Sequence, residues 1–103
     1  MKFYRDGKCY NTKTAEEVAY HSHGYQNDFH YYEETLYRTE KDAWFLVGEG
    51  GPMSKYAKSV GQNSWGSGSG EIILSKQEAL EWLEAYDEND AIEEYFLDEI
   101  EEA

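Results

Sequence analysis

Three histidines, one cysteine and twenty-two carboxylates are the side chains of this chain that could carry chemistry. His21, His23 and His30 offer metal-ligand nitrogens, but His21 and His23 stand two apart. On a helix that spacing sends them to different sides, and only an extended segment would give them one face. There is no H-x-x-x-H and no cysteine pair, so surface histidines near a helix end are expected, and no metal. Cys9 has Arg5 and Lys8 close in sequence, the cations that thiolate chemistry uses, yet no histidine is placed to act as its base. It is expected to be a small buried core residue. Glu33-Glu34 is an acidic doublet in the body of the chain, but nothing singles out a pair for general acid–base work. Gly48-Glu49-Gly50-Gly51-Pro52 invites comparison with a phosphate loop. Its spacing fits neither G-x-G-x-x-G nor the Walker pattern, and Glu49 would repel a phosphate. No enzyme and no cofactor are expected.

Charge does single out a region. Residues 71–103 hold thirteen acids against one base, Lys76, a net of −12. Residues 1–70 hold nine acids and eight bases, a net of −1. Phosphates and anionic membranes repel a chain of net −13, so direct nucleic-acid binding and membrane binding are not expected. Basic partners are, and the commonest are proteins that normally hold nucleic acid. No apolar run approaches the ~18–20 residues of a membrane span, the N-terminus lacks a signal-peptide apolar region, and a lone cysteine cannot form an internal disulfide. These features lead to the expectation of a soluble cytoplasmic protein.

The elements that must position these groups follow from local pattern. With 40% hydrophobic and 17% aromatic residues, the chain reads as one folded domain, residues 1–103. Phe3-Tyr4-Arg5 and Lys8-Cys9-Tyr10 flank Asp6-Gly7, a two-residue hairpin turn. Thr14-Ala15-Glu16-Glu17 is a capping box, and Ala15, Val18, Ala19 and Ser22 predict a short helix over 15–22 with Gly24 closing it. Residues 29–39 and 43–47 predict a central hairpin, with Trp44 and Leu46 on one face and Phe45 and Val47 on the other. Gly48 ends that strand. Residues 53–60 predict a helical turn, 61–70 a flexible loop anchored by Trp65, and 71–74 a short strand. Ser75-Lys76-Gln77-Glu78 is a second capping box, opening a helix to about Asp87 with Ala79, Leu80, Leu83 and Tyr86 as its apolar stripe. Ile92, Tyr95, Phe96 and Ile100 predict a last helix over 91–101. The expected fold class is α+β. A near-neutral β-rich body (1–70) with one short helix forms a small antiparallel sheet covered on one side by helices. A short strand and two acidic C-terminal helices complete it at 71–103.

Acids in the first turn of a helix complement its dipole, so Glu78, Asp90, Glu93 and Glu94 have a structural reason to be there. Glu84, Asp87 and Glu88, and again Asp98, Glu99, Glu101 and Glu102, fall at C-terminal ends. There each costs roughly 0.3–1 kcal/mol, and like pairs such as Glu84-Glu88 add roughly 0.2–0.5 kcal/mol. Two packed helices of about twelve residues, roughly 18 Å long and carrying about ten acids, would hold about one charge per ~2 Å. Duplex DNA carries one per ~1.7 Å. The plainer alternative is a solvated acidic face whose self-repulsion salt screens.

Leu36-Tyr37-Arg38-Thr39 through Trp44-Phe45-Leu46-Val47-Gly48-Glu49-Gly50-Gly51-Pro52-Met53-Ser54-Lys55-Tyr56-Ala57 resembles small proteins of bacterial phages and mobile elements. The opening Tyr4-Arg5-Asp6-Gly7-Lys8 and the later Glu78-Ala79-Leu80-Glu81-Trp82-Leu83-Glu84 do so too. In size and acidity the chain is also similar to anti-CRISPR and antirestriction inhibitors, many of which mimic nucleic acid. The resemblance carries no catalytic motif. It implies an inhibitor that blocks the nucleic-acid channel of a CRISPR effector or other defence nuclease in a bacterial host. The partner surface would then be Glu81, Glu84, Asp87, Glu88, Glu94, Asp98, Glu99, Glu101 and Glu102, with a secondary contact at Tyr31, Tyr32, Tyr37 and Trp65. The alternative is a non-enzymatic accessory or regulatory protein that binds through those aromatics, its acids serving solubility.

Overall fold

A computed structural model of the chain describes residues 1–25 and 27–103. In chain order the elements are β1 (Lys2–Arg5), β2 (Lys8–Asn11), β3 (Glu16–His23), β4 (Tyr32–Arg38), β5 (Trp44–Gly50), β6 (Lys58–Gly61), β7 (Ser64–Gly66), β8 (Gly68–Leu74), α1 (Lys76–Ala85), α2 (Asn89–Phe96) and a 3-10 turn (Leu97–Glu99). Strand accounts for 43% and helix for 21%, in three sheets and two short helices. The expected helix-covered sheet with two long C-terminal helices is therefore wrong.

The largest departure is β3, where a helix over 15–22 was expected. The capping signature does not start a helix: the Thr14 and Ala15 amides both bond Asn11 O, closing a turn. From Ala19 onward Tyr20, His21, Ser22 and His23 pair residue by residue with β4. A β-bulge between Glu17 and Ala19 shifts the register there. Val18 and Ala19 both pack on the same core, which gave the segment its helical look. Tertiary pairing outweighs a local cap worth about 1 kcal/mol.

The main sheet is antiparallel, in the order β3-β4-β5-β8. On one face Leu36, Trp44 and Leu46 meet Leu80, Trp82 and Leu83 of α1 and Phe96 of α2. Burial of each such side chain contributes about 1.5–3 kcal/mol. The opposite face is covered at one end only. There the β1–β2 hairpin lays Phe3 and Tyr10 on Phe45, with Tyr37 stacked beside it. Asp6 and Gly7 take φ of 51° and 77°, the two positive values a type I′ turn requires. Side chains alternate along this hairpin, so Phe3 and Tyr10 go inward and Cys9, paired with Tyr4, is exposed rather than buried. Beyond the hairpin, Glu33, Thr35, Val47, Glu49, Ser69 and Glu71 line an open cavity of about 320 Å³.

Gly48 does not end β5, which runs on to Gly50. Gly48 faces Gly70 and Gly50 faces Gly68 across the β5–β8 ladder. These four glycines make a patch without side chains on the helix-bearing face. The chain turns back over it through residues 51–57, and Tyr56 comes down on the patch. A Cβ on Gly48 would stand 2.3 Å from Tyr56 Cζ. Gly48→Ala is therefore expected to destabilise the chain by roughly 1–3 kcal/mol through overpacking, as a lowered urea midpoint would show. Where a helical turn was expected over 53–60, residues 53–57 make turns and 58–60 already belong to β6. The expected loop over 61–70 contains β7 and the start of β8, and Trp65, 61% exposed, anchors nothing.

Ser75 and Glu78 form the capping box anticipated for α1, with bonds of 3.1 and 2.8 Å. α2 begins at Asn89 and ends at Phe96, earlier than expected, which leaves Ile100 42% exposed and outside its stripe. Among the described residues no helix is long and apolar enough to cross a membrane.

Candidate functional site

On α1 the buried stripe is Ala79, Leu80, Trp82 and Leu83. Helical geometry then puts Glu81 and Glu84 on the opposite, solvent side. Asp87, Glu94, Asp98, Glu99, Glu101 and Glu102 are also exposed, and Glu88 is half-buried. The rod anticipated for these acids is not formed. α1 has ten residues and α2 eight, about 15 and 12 Å at 1.5 Å per residue. Of the nine acids only Glu81, Glu84 and Glu94 lie within a helix. The others occupy the α1–α2 junction, the 3-10 turn and the irregular end.

Lys76 is the one base within residues 71–103. It sits in the first turn of α1, but the chain returning after α2 brings Glu99 Oε1 within 3.0 Å of its Nζ, with Asp42 Oδ2 at 3.6 Å. Glu99 thus has a structural partner. Among the described residues no other acid of this segment makes an ion pair.

Asp87 is held in an unusual backbone state. Its φ is 53°, and the helix closes on it with the Asp87 amide on Glu84 O at 3.3 Å and the Glu88 amide on Leu83 O at 3.0 Å. That is the Schellman arrangement, in which glycine normally takes the left-handed position. An aspartate there bears the cost of its Cβ and of a negative charge at the negative end of the helix dipole.

The doublet Glu33-Glu34 is split by the alternation of β4. Glu33 points to the open face and stands opposite Glu49 on β5. Tyr31 Oη and Tyr20 Oη both donate to Glu33 Oε2, at 2.5 and 2.7 Å. Those bonds hold the Glu33 carboxyl below its usual range, and they push the Tyr31 hydroxyl up to about 12. Glu49 is raised by hydrogen bonding to Glu33 and by the Glu33 charge beside it. Reading 48–52 as a turn concealed this pair. A cleft of about 640 Å³, lined by Tyr31, Glu49, Lys58 and Ser69 among others, adjoins it.

Glu34 points the other way and is 1% exposed. Its Oε2 accepts from Tyr56 Oη at 2.6 Å and Lys55 Nζ at 2.6 Å, and its Oε1 accepts from Trp82 Nε1 at 3.0 Å. One carboxylate therefore joins β4, α1 and the 51–57 segment. Burial, with the bond to Glu34, drives the Tyr56 hydroxyl far above its ordinary value.

The aromatic residues singled out in the sequence do not form one surface. Tyr31 belongs to the open face. Tyr32 is on the helix face with its hydroxyl 2.8 Å from that of Tyr86. Tyr37 stacks on Phe45, and Trp65 sits apart on β7.

His21 and His23, on an extended strand after all, share the helix face: His21 stacks on Tyr86 at 3.5 Å and His23 on Tyr32 at 5.3 Å. His30 lies in a turn, its Nδ1 3.4 Å from Asp28. Among the described residues no three His, Cys, Asp or Glu side chains converge as a ligand set.

Burial holds the His21 imidazole below 6.5, with Glu34 and Glu88 pulling it up and His23 and Lys55 pushing it further down. The unfolded chain then binds that proton more readily. Stability linked to His21 is complete above about pH 6.5 and is lost as pH falls from there towards the folded value. His21→Phe, which keeps the stack without the titration, should show a smaller fall in urea midpoint between about pH 7.5 and 5.5 than the parent. An identical fall in both would remove His21 from the account.

No family model, curated protein or solved structure matches the chain.

Proposed function

We propose that this protein is a non-enzymatic inhibitor of the anti-CRISPR type, carried by a mobile element. Inside a bacterial cell it would present its acidic C-terminal surface to the nucleic-acid channel of a basic defence nuclease. The observation that carries this is Asp87. It sets a negative charge at the unfavourable end of a helix dipole, in a position that glycine fills more readily, and no ion pair offsets that cost among the described residues. Glu84, one turn before it, is exposed and unpaired, and so are Asp98, Glu101 and Glu102 on the segment that Glu99 ties to Lys76 at the start of α1, among the described residues.

Asp87→Gly is accordingly expected to raise stability by roughly 1 kcal/mol while weakening partner binding. A urea titration paired with a binding titration would separate the two effects, and a stabilised variant with undiminished binding would count against the proposal.

The direct experiment is capture of the partner from a bacterial host lysate at low salt, followed by challenge with duplex DNA, guide RNA or rising ionic strength. Release by either nucleic acid, together with loss of binding at moderate salt, is expected. Binding indifferent to both would overturn the proposal.

A further inference from the structure

We infer that the free edge of β8 is a docking site for an extended, basic segment of a partner protein, which would add to the main sheet as a further strand. The partner's positive charge rests on the function proposed above; the edge itself does not depend on it. The main sheet has two edges, β3 and β8, and they are built differently. β3 carries the bulge between Glu17 and Ala19 and starts on two adjacent acids, the devices by which proteins keep an edge from pairing. β8 has neither a bulge nor a proline. Its register with β5 runs unbroken from Gly68 to Leu74, its only charge is Glu71, and Ile72 and Ile73 are 36% and 41% exposed.

In an antiparallel pair alternate residues turn their N–H and C=O away from the neighbour. Among the described residues no backbone hydrogen bond from another segment reaches β8. The edge is thus a row of unused donors and acceptors beside two exposed isoleucines.

Charge selects the occupant. Glu71 shares the open sheet face with Glu49 and Glu33 on the next two strands. A strand laid on β8 with lysine or arginine on that side meets Glu71 first, Lys58 standing further along the cleft at the Gly68 end. A second copy is disfavoured, because each chain carries −13 and antiparallel self-pairing brings two Glu71 carboxylates together. Strand addition takes its affinity from the main chain and its specificity from alternate side chains, as an edge of this kind requires.

The test uses the full chain and a capped eight-residue peptide of alternating lysine and valine, read by amide hydrogen exchange. The peptide is expected to slow exchange at Gly70–Leu74 by about tenfold, with no change along β3. The same peptide with prolines in place of two valines should give no protection. Ile72→Lys with Ile73→Lys, both at exposed positions, should abolish the effect while the far-UV spectrum is retained. Protection at β3 instead, no protection anywhere, or protection that grows with protein concentration in the absence of peptide would each overturn the inference, the last in favour of a second copy. Glu84→Lys with Asp98→Lys, which reverses two acids of the C-terminal segment, should leave peptide protection at β8 intact, so this site and the proposed function fail separately.

Discussion

Replacing Glu34 with alanine is expected to cost roughly 3–5 kcal/mol, the range for removing one member of a buried charged cluster. The loss is not mainly that of the Lys55 ion pair, because the Lys55 side chain is 42% exposed and water can take over part of its solvation. It lies in what remains: Trp82 Nε1 and Tyr56 Oη, both buried, with no acceptor. Each such orphan costs about 1–3 kcal/mol. Glu34→Gln should be only partly better. The carboxylate accepts from three donors, and an amide puts an N–H where at least one of them points. The ordering Glu34→Ala worse than Glu34→Gln worse than parent, measured as urea midpoints at neutral pH, is the expected result. A Glu34→Ala variant within ~1 kcal/mol of the parent would mean the cluster holds nothing together.

The second large effect concerns binding. Glu84→Lys with Asp98→Lys replaces two exposed, unpaired acids, so the fold should change by no more than ~0.5 kcal/mol, with some relief of repulsion and dipole cost. If these acids face a basic channel, each reversal turns attraction into repulsion. Affinity should then fall by several kcal/mol in total, which is on the order of a thousandfold, with a shallower salt dependence in what remains. Surface plasmon resonance on the captured partner would measure both. Unchanged affinity in a folded double variant would sink the proposed function.

Much of the local chemistry was legible in the chain. The Asp6-Gly7 turn, the opposed faces of Trp44 and Phe45, and the Ser75–Glu78 cap all follow from residue type and spacing, and each is found. The failures share a cause. At Val18-Ala19 a bulge mimicked helical spacing, because both residues reach one core by an irregularity that only the partner strand β4 determines. At Gly48, Gly50, Gly68 and Gly70 the glycines looked like chain breakers. They are strand residues, and a side chain on Gly48 or Gly68 would strike Tyr56, and one on Gly50 would strike Ser54, both of which arrive from another part of the chain. Cys9 reads as a small core residue, but its hairpin buries only the other row. The division of Glu33 from Glu34 was available in principle, since neighbours on a strand point to opposite faces. What could not be read was which of the two would be buried, because the three donors around Glu34 come from Lys55, Tyr56 and Trp82, far along the chain.

The glycine patch also divides the sheet in time. At the end where Trp44 meets Phe96, the two central strands bring large side chains that can cluster as soon as the chain collapses. At the Gly48–Gly70 end β5 and β8 bring none to the helix-bearing face, and glycine gives up more backbone freedom on ordering than any other residue. That end gains its contacts only after residues 51–57 have closed over it, so its native interactions belong to the late side of the folding barrier. Substitutions there should show chiefly in the unfolding rate, whereas those at the tryptophan end should slow folding. The molecule's resistance to being opened is thus set at the end of the sheet where β5 and β8 carry no side chains on that face.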